Sequence, residues 1–225
     1  SEKRSGPVDN IWSKQDGKII KGGIASPADP DALGFADKEI FYGRYPFYSG
    51  GYLIAASRGC PFACAYCAND IYSRLYGGEK YARKRSPGHV LAELALAKKK
   101  WRPKFVHFAD EVFNWDRAWL RTFLERYKKE TALPFSCYVY PDLLDAQTAR
   151  RLKEAGCFKV QMGVQTFNEA RRLETLGRAS SNTKIAEAIT LLAFVGALSA
   201  ATAMVIVDSV ALAIMVSNGL VLPLL

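Results

Sequence analysis

The chain opens without the apolar run that marks a secretory signal peptide, since Ser1 to Ser5 are all polar or charged. It also lacks the evenly paired cysteines of a secreted disulfide framework: there are 5 cysteines, and three of them lie within residues 60–67. We therefore expect a cytoplasmic protein whose clustered thiolates bind metal. Since the first residue is not methionine, we expect the sequence to be a piece of a longer protein.

Acidic side chains are in the minority, with 22 Asp and Glu against 31 Lys and Arg and a formal charge of +9. Such an excess can indicate an anionic partner. The basic residues are nevertheless spread along the chain, with two local runs at residues 80–85 and 98–102. We interpret both runs as solvated helix and loop faces and expect no nucleic-acid partner; nucleic-acid binding is the alternative. A hydrophobic content of 49% is ordinary for a globular protein and argues against global disorder.

Apolar runs alternate with amphipathic stretches from Gly51 onward. The pattern predicts strands at 51–56, 105–108, 135–140 and 158–164, and helices at 89–100, 115–129, 145–155, 169–176 and from 182. Repeated strand–helix units predict parallel strands joined by right-handed crossovers. A closed (β/α) barrel of the TIM type needs about 250 residues. We therefore predict an α/β fold, an open partial barrel with four to five such units.

Two flanking segments depart from this pattern, so that the predicted barrel occupies residues 46–190. Residues 1–45 show little periodicity and are interpreted as a linker, with a possible strand–turn–strand near residues 11–20. In the tail, 191–225, the charge-free stretch that begins at Ala188 reaches the length of a membrane span. The alternatives are a fifth barrel strand at 202–207, a membrane-prone segment or an altered sequence. Because Asp208 interrupts the stretch and no basic residue follows, we favour the barrel strand.

Three cysteines follow the first predicted strand at the spacing CxxxCxxC, namely Cys60, Cys64 and Cys67. Iron–sulfur clusters are held by cysteine thiolates, and four of them would saturate a cubane. Three thiolates on one loop therefore leave one iron open to a cofactor or substrate. A zinc ion is the alternative, but structural zinc prefers four ligands. Cys137 or Cys157 could supply a distant fourth, yet each lies in a predicted strand region and is interpreted as a core residue, which favours the cluster.

The string from Ser57 to Cys67, with Tyr66 before the third cysteine, resembles the radical S-adenosylmethionine superfamily, and the resemblance extends over roughly residues 47–190. It implies an enzyme with a [4Fe-4S] cluster on the three cysteines, whose open iron binds the amino and carboxylate groups of S-adenosyl-L-methionine. Reductive cleavage of that cofactor would then yield a deoxyadenosyl radical. The resemblance also implies an electron donor such as flavodoxin or ferredoxin and a small-molecule substrate, whose identity the sequence leaves open.

Three further segments match cofactor-binding positions of that family, in the expected order. Asp110 and Glu111 match the segment that receives the methionine amino group, although the family's glycine pair is absent. Gln165 matches the segment that contacts the ribose, and Arg178 is a candidate for the cofactor carboxylate. The alternatives are solvated or helix-capping carboxylates and a plain surface arginine. Because barrel active sites gather at the carboxyl ends of the strands, we expect Cys60, Asp110 and Gln165 at one edge.

Residues 9–45 resemble the linker that precedes the radical domain in cobalamin-dependent members of the superfamily. Neither His89 nor His107 lies in the DxHxxG pattern of a cobalt ligand, so we expect cobalamin to bind only through a domain missing from this chain. After about Leu192 the family pattern is lost. Two alternatives to the enzyme therefore stay open: a non-enzymatic metal-binding domain, with zinc or an iron–sulfur cluster, and an inactive truncated fragment.

Overall fold

The computed structural model describes residues 7–45, 50–77 and 81–196. The strands are β1 (Trp12–Gln15), β2 (Lys18–Lys21), β3 (Gly51–Ile54), β4 (Ser57–Arg58), β5 (Arg83–Lys84), β6 (Phe105–Phe108), β7 (Phe135–Val139) and β8 (Cys157–Met162). The helices are α1 (Glu39–Tyr42), α2 (Ala68–Leu75), α3 (Pro87–Trp101), α4 (Arg117–Glu130), α5 (Ala146–Glu154), α6 (Glu169–Glu174) and α7 (Asn182–Gly196). Two short 3-10 turns lie at Pro30–Ala32 and Pro141–Leu143.

The central sheet has four parallel strands in the order β3-β6-β7-β8. Its neighbouring strands are connected through α3, α4 and α5, which confirms the predicted α/β fold and its open, partial-barrel architecture. Within the described part of the chain the sheet does not close. The predicted fifth strand at 202–207, and all of the tail after residue 196, lie outside the described residues.

The first strand of the parallel sheet, β3, ends at Ile54, two residues earlier than predicted. Its ladder with β6 stops there because the next backbone groups find other partners. The Ile54 carbonyl accepts from the Ala109 amide at 2.8 Å, while the Ala56 amide donates to the Asp110 carboxylate at 3.0 Å. The backbone then enters a second, antiparallel pairing between β4 and β5, which leads directly into the cysteine segment.

The two faces of the parallel sheet have different surroundings. One face packs on the helices and is almost fully buried, with Tyr52, Ile54, Val106, Phe108 and Phe135 in the core. Aromatic rings dominate this core, and Phe108 makes edge contacts with three of its neighbours at centroid distances of 5.5–6.0 Å. Because strand side chains alternate, the other face carries a second set of residues that are partly exposed: Leu53, Phe105, Tyr138 and Phe158.

The helices α3, α4 and α5, which connect the parallel strands, each begin after a residue whose side chain caps the helix. Ser86 accepts from the His89 amide and is followed by proline at the first helical position of α3. Asp116 caps α4 and Asp145 caps α5 in the same way, through the amides of Trp119 and Thr148. The starts of α3, α4 and α5 lie close to the positions predicted from the apolar pattern.

The N-terminal segment, residues 7–45, contains the β1–β2 hairpin and lies against the barrel through α1 and the residue before it. Lys38 Nζ forms an ion pair with Glu93 of α3 at 2.8 Å and donates to the Leu53 carbonyl at 2.6 Å. The Tyr42 hydroxyl donates to the Gly51 carbonyl at 3.2 Å and accepts from the Leu53 amide at 2.9 Å. The segment is thus anchored along β3, while its boundary near residue 45 stays a prediction.

Glu93 is the buried centre of this anchor. Its carboxylate also accepts from the Tyr52 hydroxyl at 2.8 Å and pairs with Arg85 at 2.6 Å. Burial works to raise the pKa of Glu93, but the hydrogen bonds and positive charges around it lower that pKa below its usual value.

No helix within the described ranges is long and apolar enough to cross a membrane.

Candidate functional site

A cavity of about 640 Å³ opens at the carboxyl edge of the parallel sheet. Its walls come from the cysteine segment, from the ends of β7 and β8, and from the residues after β6. Six of the seven site residues predicted from the sequence line it: Cys60, Cys64, Cys67, Glu111, Gln165 and Arg178. The seventh, Asp110, follows β6 at the same edge but is not among the lining residues.

The three cysteines lie in a segment that we call the cysteine loop (residues 59–67). Backbone pairing and a glycine with a positive φ fix its conformation. Ser57 and Arg58 pair with Lys84 and Arg83 in the β4–β5 ladder just before it. Gly59 then adopts a positive φ of 76°, and a Cβ atom there would lie 2.6 Å from the Tyr81 carbonyl oxygen. At the other end the Cys67 amide donates to the Cys64 carbonyl at 3.0 Å, and α2 begins directly afterwards. The loop therefore has a fixed entry and a fixed exit.

Gly59→Ala is expected to destabilise the protein by more than about 2 kcal/mol and to reduce iron uptake by the cysteine loop. The left-handed conformation costs a residue with a side chain roughly 1–2 kcal/mol, and the clash with Tyr81 adds to it. Gly17→Ala is the matched control, because Gly17 has a φ of 77° but open space around it. Urea denaturation and iron analysis measure the two effects. Equal losses in the two variants would contradict the crowding argument.

The three thiols of the loop differ in their exposure. Cys64 is buried, whereas Cys60 and Cys67 are partly exposed. Burial raises the pKa of Cys60 to about 11, and the nearby Cys64, Cys67 and Glu111 add to the shift. Metal binding must therefore replace a proton at Cys60, which a strongly charged iron centre can do.

The three thiols line one cavity. In the described part of the chain, no three His, Cys, Asp or Glu side chains are placed to hold one metal ion. The thiolates of a cubane bind different irons rather than one ion, so they stand further apart than the ligands of a single zinc. A set of three cysteine thiols on one cavity fits a cluster by its chemistry.

Asp110 points below the cysteine loop rather than into the cavity. Its Oδ1 accepts a short hydrogen bond from the Ser57 hydroxyl, and its Oδ2 accepts from the Ala56 amide. The side chain is 2% exposed, and this burial raises its pKa. Its predicted contact with the methionine amino group stays a prediction. The contacts that it makes hold the two residues that lead into the loop.

The interpretation of residues 80–85 as a solvated run is wrong for its last two members. Arg85 is buried, and it donates to the Ala55 carbonyl and pairs with Glu93. The partly buried Lys84 donates to the Phe113 carbonyl at 3.0 Å, and its ammonium lies 4.2 Å from the Trp119 ring centre. Burial lowers the pKa of Lys84 to about 8. The strand β5 is only two residues long, so the sequence gives no periodic pattern by which it could be detected. A run of basic residues was therefore interpreted as exposed although strand pairing buries part of it.

The loop after β8 is held in an unusual conformation. Gln165, which faces the cavity, has a positive φ of 71°, a conformation that residues other than glycine seldom adopt. The fully buried Arg172 fixes the loop by donating to the Thr166 and Ser180 carbonyls and to the Asn182 side chain. Sequence analysis did not single out Arg172, and its position in a helix rich in arginine gave no signal.

Arg178 is buried, which rules out the alternative of a plain surface arginine. It is 8% exposed, and its Cζ lies 4.3 Å from the centre of the Tyr140 ring. One terminal nitrogen donates to the Gly163 carbonyl at 2.8 Å, and the other lies 3.9 Å from Cys64 Sγ. Arg178 therefore connects the β8 loop to the cysteine loop. Its predicted contact with the cofactor carboxylate stays a prediction.

Aromatic side chains complete the cavity and were not predicted from the sequence. Phe62 of the cysteine loop stacks on Tyr140 with ring centroids 3.9 Å apart. Tyr138 and Phe158, from the exposed face of the sheet, also line the cavity, together with Lys159. The only available signal was their alternation along β7 and β8, and that signal does not say which face of a sheet encloses a cavity.

A scan of family models matches the Radical SAM superfamily over residues 54–207. An uncharacterized methyltransferase of Pyrococcus horikoshii is 27% identical over 127 residues, which are 56% of this chain and 26% of that protein. The chain therefore spans about a quarter of the length of this curated relative.

Two solved structures are similar in fold, both of the radical S-adenosylmethionine methyltransferase TsrM from Kitasatospora setae. One, with tryptophan substrate and the analogue aza-SAM bound, has a TM-score of 0.63 and 17% identity over 85% of this chain and 40% of its own. The other, with cobalamin and a [4Fe-4S] cluster bound, has a TM-score of 0.53 and 20% identity over 67% of this chain and 30% of its own. At these identities the likeness shows a shared fold. Because the family model covers more than half of the sequence, the chain belongs to the radical S-adenosylmethionine superfamily.

Proposed function

We propose that this chain is the radical domain of an enzyme that binds a [4Fe-4S] cluster on Cys60, Cys64 and Cys67 and cleaves S-adenosyl-L-methionine reductively. One observation carries the proposal: the three thiols share a single cavity with Glu111, Gln165 and Arg178 at the carboxyl edge of the parallel sheet. Membership of the superfamily implies both cofactors. When bound, the cluster supplies the electron that breaks a sulfonium C–S bond of the cofactor and yields methionine and a deoxyadenosyl radical.

The residues of the cavity provide distinct groups for the organic cofactor. The Glu111 carboxylate can accept hydrogen bonds from the methionine ammonium, and the Gln165 amide can both donate to and accept from ribose hydroxyls. The Phe62–Tyr140 stack forms an apolar wall that limits water beside the thiols. In this proposal Asp110 acts on the cysteine loop through Ser57 and Ala56, and the cofactor contact falls to Glu111.

The named relatives favour methyl transfer as the class of reaction, because the curated relative and TsrM are both methyltransferases. We propose a small-molecule substrate, a flavodoxin or ferredoxin as electron donor and a cytoplasmic location. A cobalamin would bind through a part of the enzyme outside this chain, which is consistent with the cobalamin found in TsrM.

Anaerobic reconstitution with iron and sulfide tests the proposal. We expect about four irons and four sulfides per chain, as a cubane requires. Addition of dithionite and S-adenosyl-L-methionine is expected to release 5′-deoxyadenosine or methionine, detected by mass spectrometry. About one zinc per chain with no sulfide would instead support the metal-binding alternative. A bound cluster without any cofactor cleavage would support the inactive fragment.

Glu111→Gln is expected to raise the Kd for S-adenosyl-L-methionine roughly tenfold, since a hydrogen bond to a charged group contributes about 1.5–3 kcal/mol. The iron content should not change, because Glu111 lies beside the thiols without being among the proposed ligands. Glu125→Gln is the control: this exposed residue of α4 pairs with Arg151 at 3.3 Å, away from the cavity. Equilibrium dialysis with the reconstituted protein measures both, and an unchanged affinity in the Glu111 variant would exclude its role.

A further inference from the structure

The segment Leu176–Arg178 lies directly against the cysteine loop, although more than 100 residues separate the two along the chain. The Leu176 carbonyl accepts from the Ala65 amide at 3.0 Å. Gly177 has a positive φ of 60°, and a Cβ atom there would lie 3.3 Å from the Ala63 carbonyl oxygen. The backbones on either side of Cys64 are thus held by a segment from the far side of the cavity.

The side chain of Arg178 continues this contact to the sulfur of Cys64. The Tyr140 ring below it and the Gly163 carbonyl beside it fix the plane of the guanidinium. Its Nη1 points at Cys64 Sγ, at 3.9 Å, and Cys64 is the most enclosed of the three cysteines of the loop. None of the ion pairs formed by the described residues includes Arg178. Among the described residues, no carboxylate therefore lies within ion-pair distance of its guanidinium.

We propose that Arg178 donates a charged hydrogen bond to the Cys64 thiolate and raises the reduction potential of the cluster. This inference rests on the proposed function, because it requires a cluster on the cysteine loop. Potentials of iron–sulfur clusters are set in part by net charge, burial and hydrogen bonds to the sulfurs. The reduced cluster carries one more electron than the oxidised one, so a buried positive charge stabilises the reduced form more. Arg178 is in this respect a positioning residue that makes the cluster easier to reduce.

Redox titration of the reconstituted protein, followed by electron paramagnetic resonance, tests the proposal without any substrate. Arg178→Met removes the charge and the donors but keeps a side chain of similar length. At a fixed potential we expect its ratio of reduced to oxidised cluster to fall roughly tenfold, which corresponds to about 59 mV for one electron. Arg178→Lys keeps the charge but not the planar fork, so a smaller fall is expected.

Arg171→Met is the matched control, because it removes one positive charge from an exposed position of α6 in the same part of the chain. We expect less than a twofold change for it. A midpoint in Arg178→Met equal to that of the wild type, or equal changes in the Arg171 and Arg178 variants, would overturn the proposal. If Arg178→Met assembles no cluster, the Arg178→Lys variant is the test. A change of less than twofold in its ratio of reduced to oxidised cluster would then overturn the proposal. A wild-type protein that takes up no cluster would refute the proposed function instead.

Discussion

Replacement of Cys60, Cys64 or Cys67 by alanine is expected to abolish stable cluster binding, with iron and sulfide falling from about four per chain to a trace. Each thiolate holds a different iron, so the loss of one leaves a second iron without a protein ligand. The cavity offers no fourth cysteine in compensation, since Cys137 and Cys157 do not line it. Iron and sulfide analysis after anaerobic reconstitution measures the loss.

Cys137→Ala and Cys157→Ala are the matched controls and should keep the cluster. The two side chains lie on β7 and β8 with their sulfurs 4.0 Å apart, so they contact each other. The neighbouring Cys157 thiol and burial raise the pKa of Cys137 well above its usual value, which keeps it protonated and a poor ligand. Complete loss of iron in either control would rule out three-cysteine ligation with an open iron.

Asp110→Ala is expected to lower the free energy of unfolding by roughly 2–4 kcal/mol, because two buried donors would lose their acceptor. These donors are the Ser57 hydroxyl and the Ala56 amide, which lead into the cysteine loop. Iron uptake should fall with stability, although Asp110 does not line the cavity. Urea denaturation of the protein before reconstitution separates this effect from that of the cluster.

Two variants calibrate the Asp110 result. Asp110→Asn keeps one side-chain oxygen and is expected to lose less stability than the alanine variant. Asp116→Ala removes a carboxylate that caps α4 through the Trp119 amide, and such a cap contributes about 1 kcal/mol. If Asp110→Ala cost no more than Asp116→Ala, the buried carboxylate would not be the support of the loop.

The sequence predicted those features that depend on local pattern. Apolar runs between amphipathic stretches placed the four parallel strands, and the position of the three cysteines directly after the first of these placed their loop at the carboxyl edge. The family resemblance singled out Glu111 and Gln165, and because the carboxyl ends of parallel strands meet at one edge, both could be expected at the same edge of the sheet as the cysteines. Features that depend on pairing between distant residues could not be predicted.

Asp110 and Arg178 show why pairing matters. Asp110 turns inward because the two-residue strands β4 and β5 bring Ser57 beneath it, and strands of that length have no periodicity to detect. Arg178 reaches Cys64 because the Leu176 carbonyl binds the Ala65 amide, a contact that neither segment encodes alone. In such cases a family motif identifies the residue, but the role of that residue depends on the contacts that it makes in the folded protein.

The anchoring of the N-terminal segment has a consequence for how the sheet can grow. An outermost strand normally presents a row of free amides and carbonyls that attracts any other extended chain. On β3 the carbonyls of Gly51 and Leu53 and the amide of Leu53 are already taken by side chains of Lys38 and Tyr42. The outer edge of β3 is therefore capped by side-chain hydrogen bonds rather than by another strand. These bonds protect the edge from mispairing and aggregation. Of the four strands of the parallel sheet, β8 forms the opposite margin.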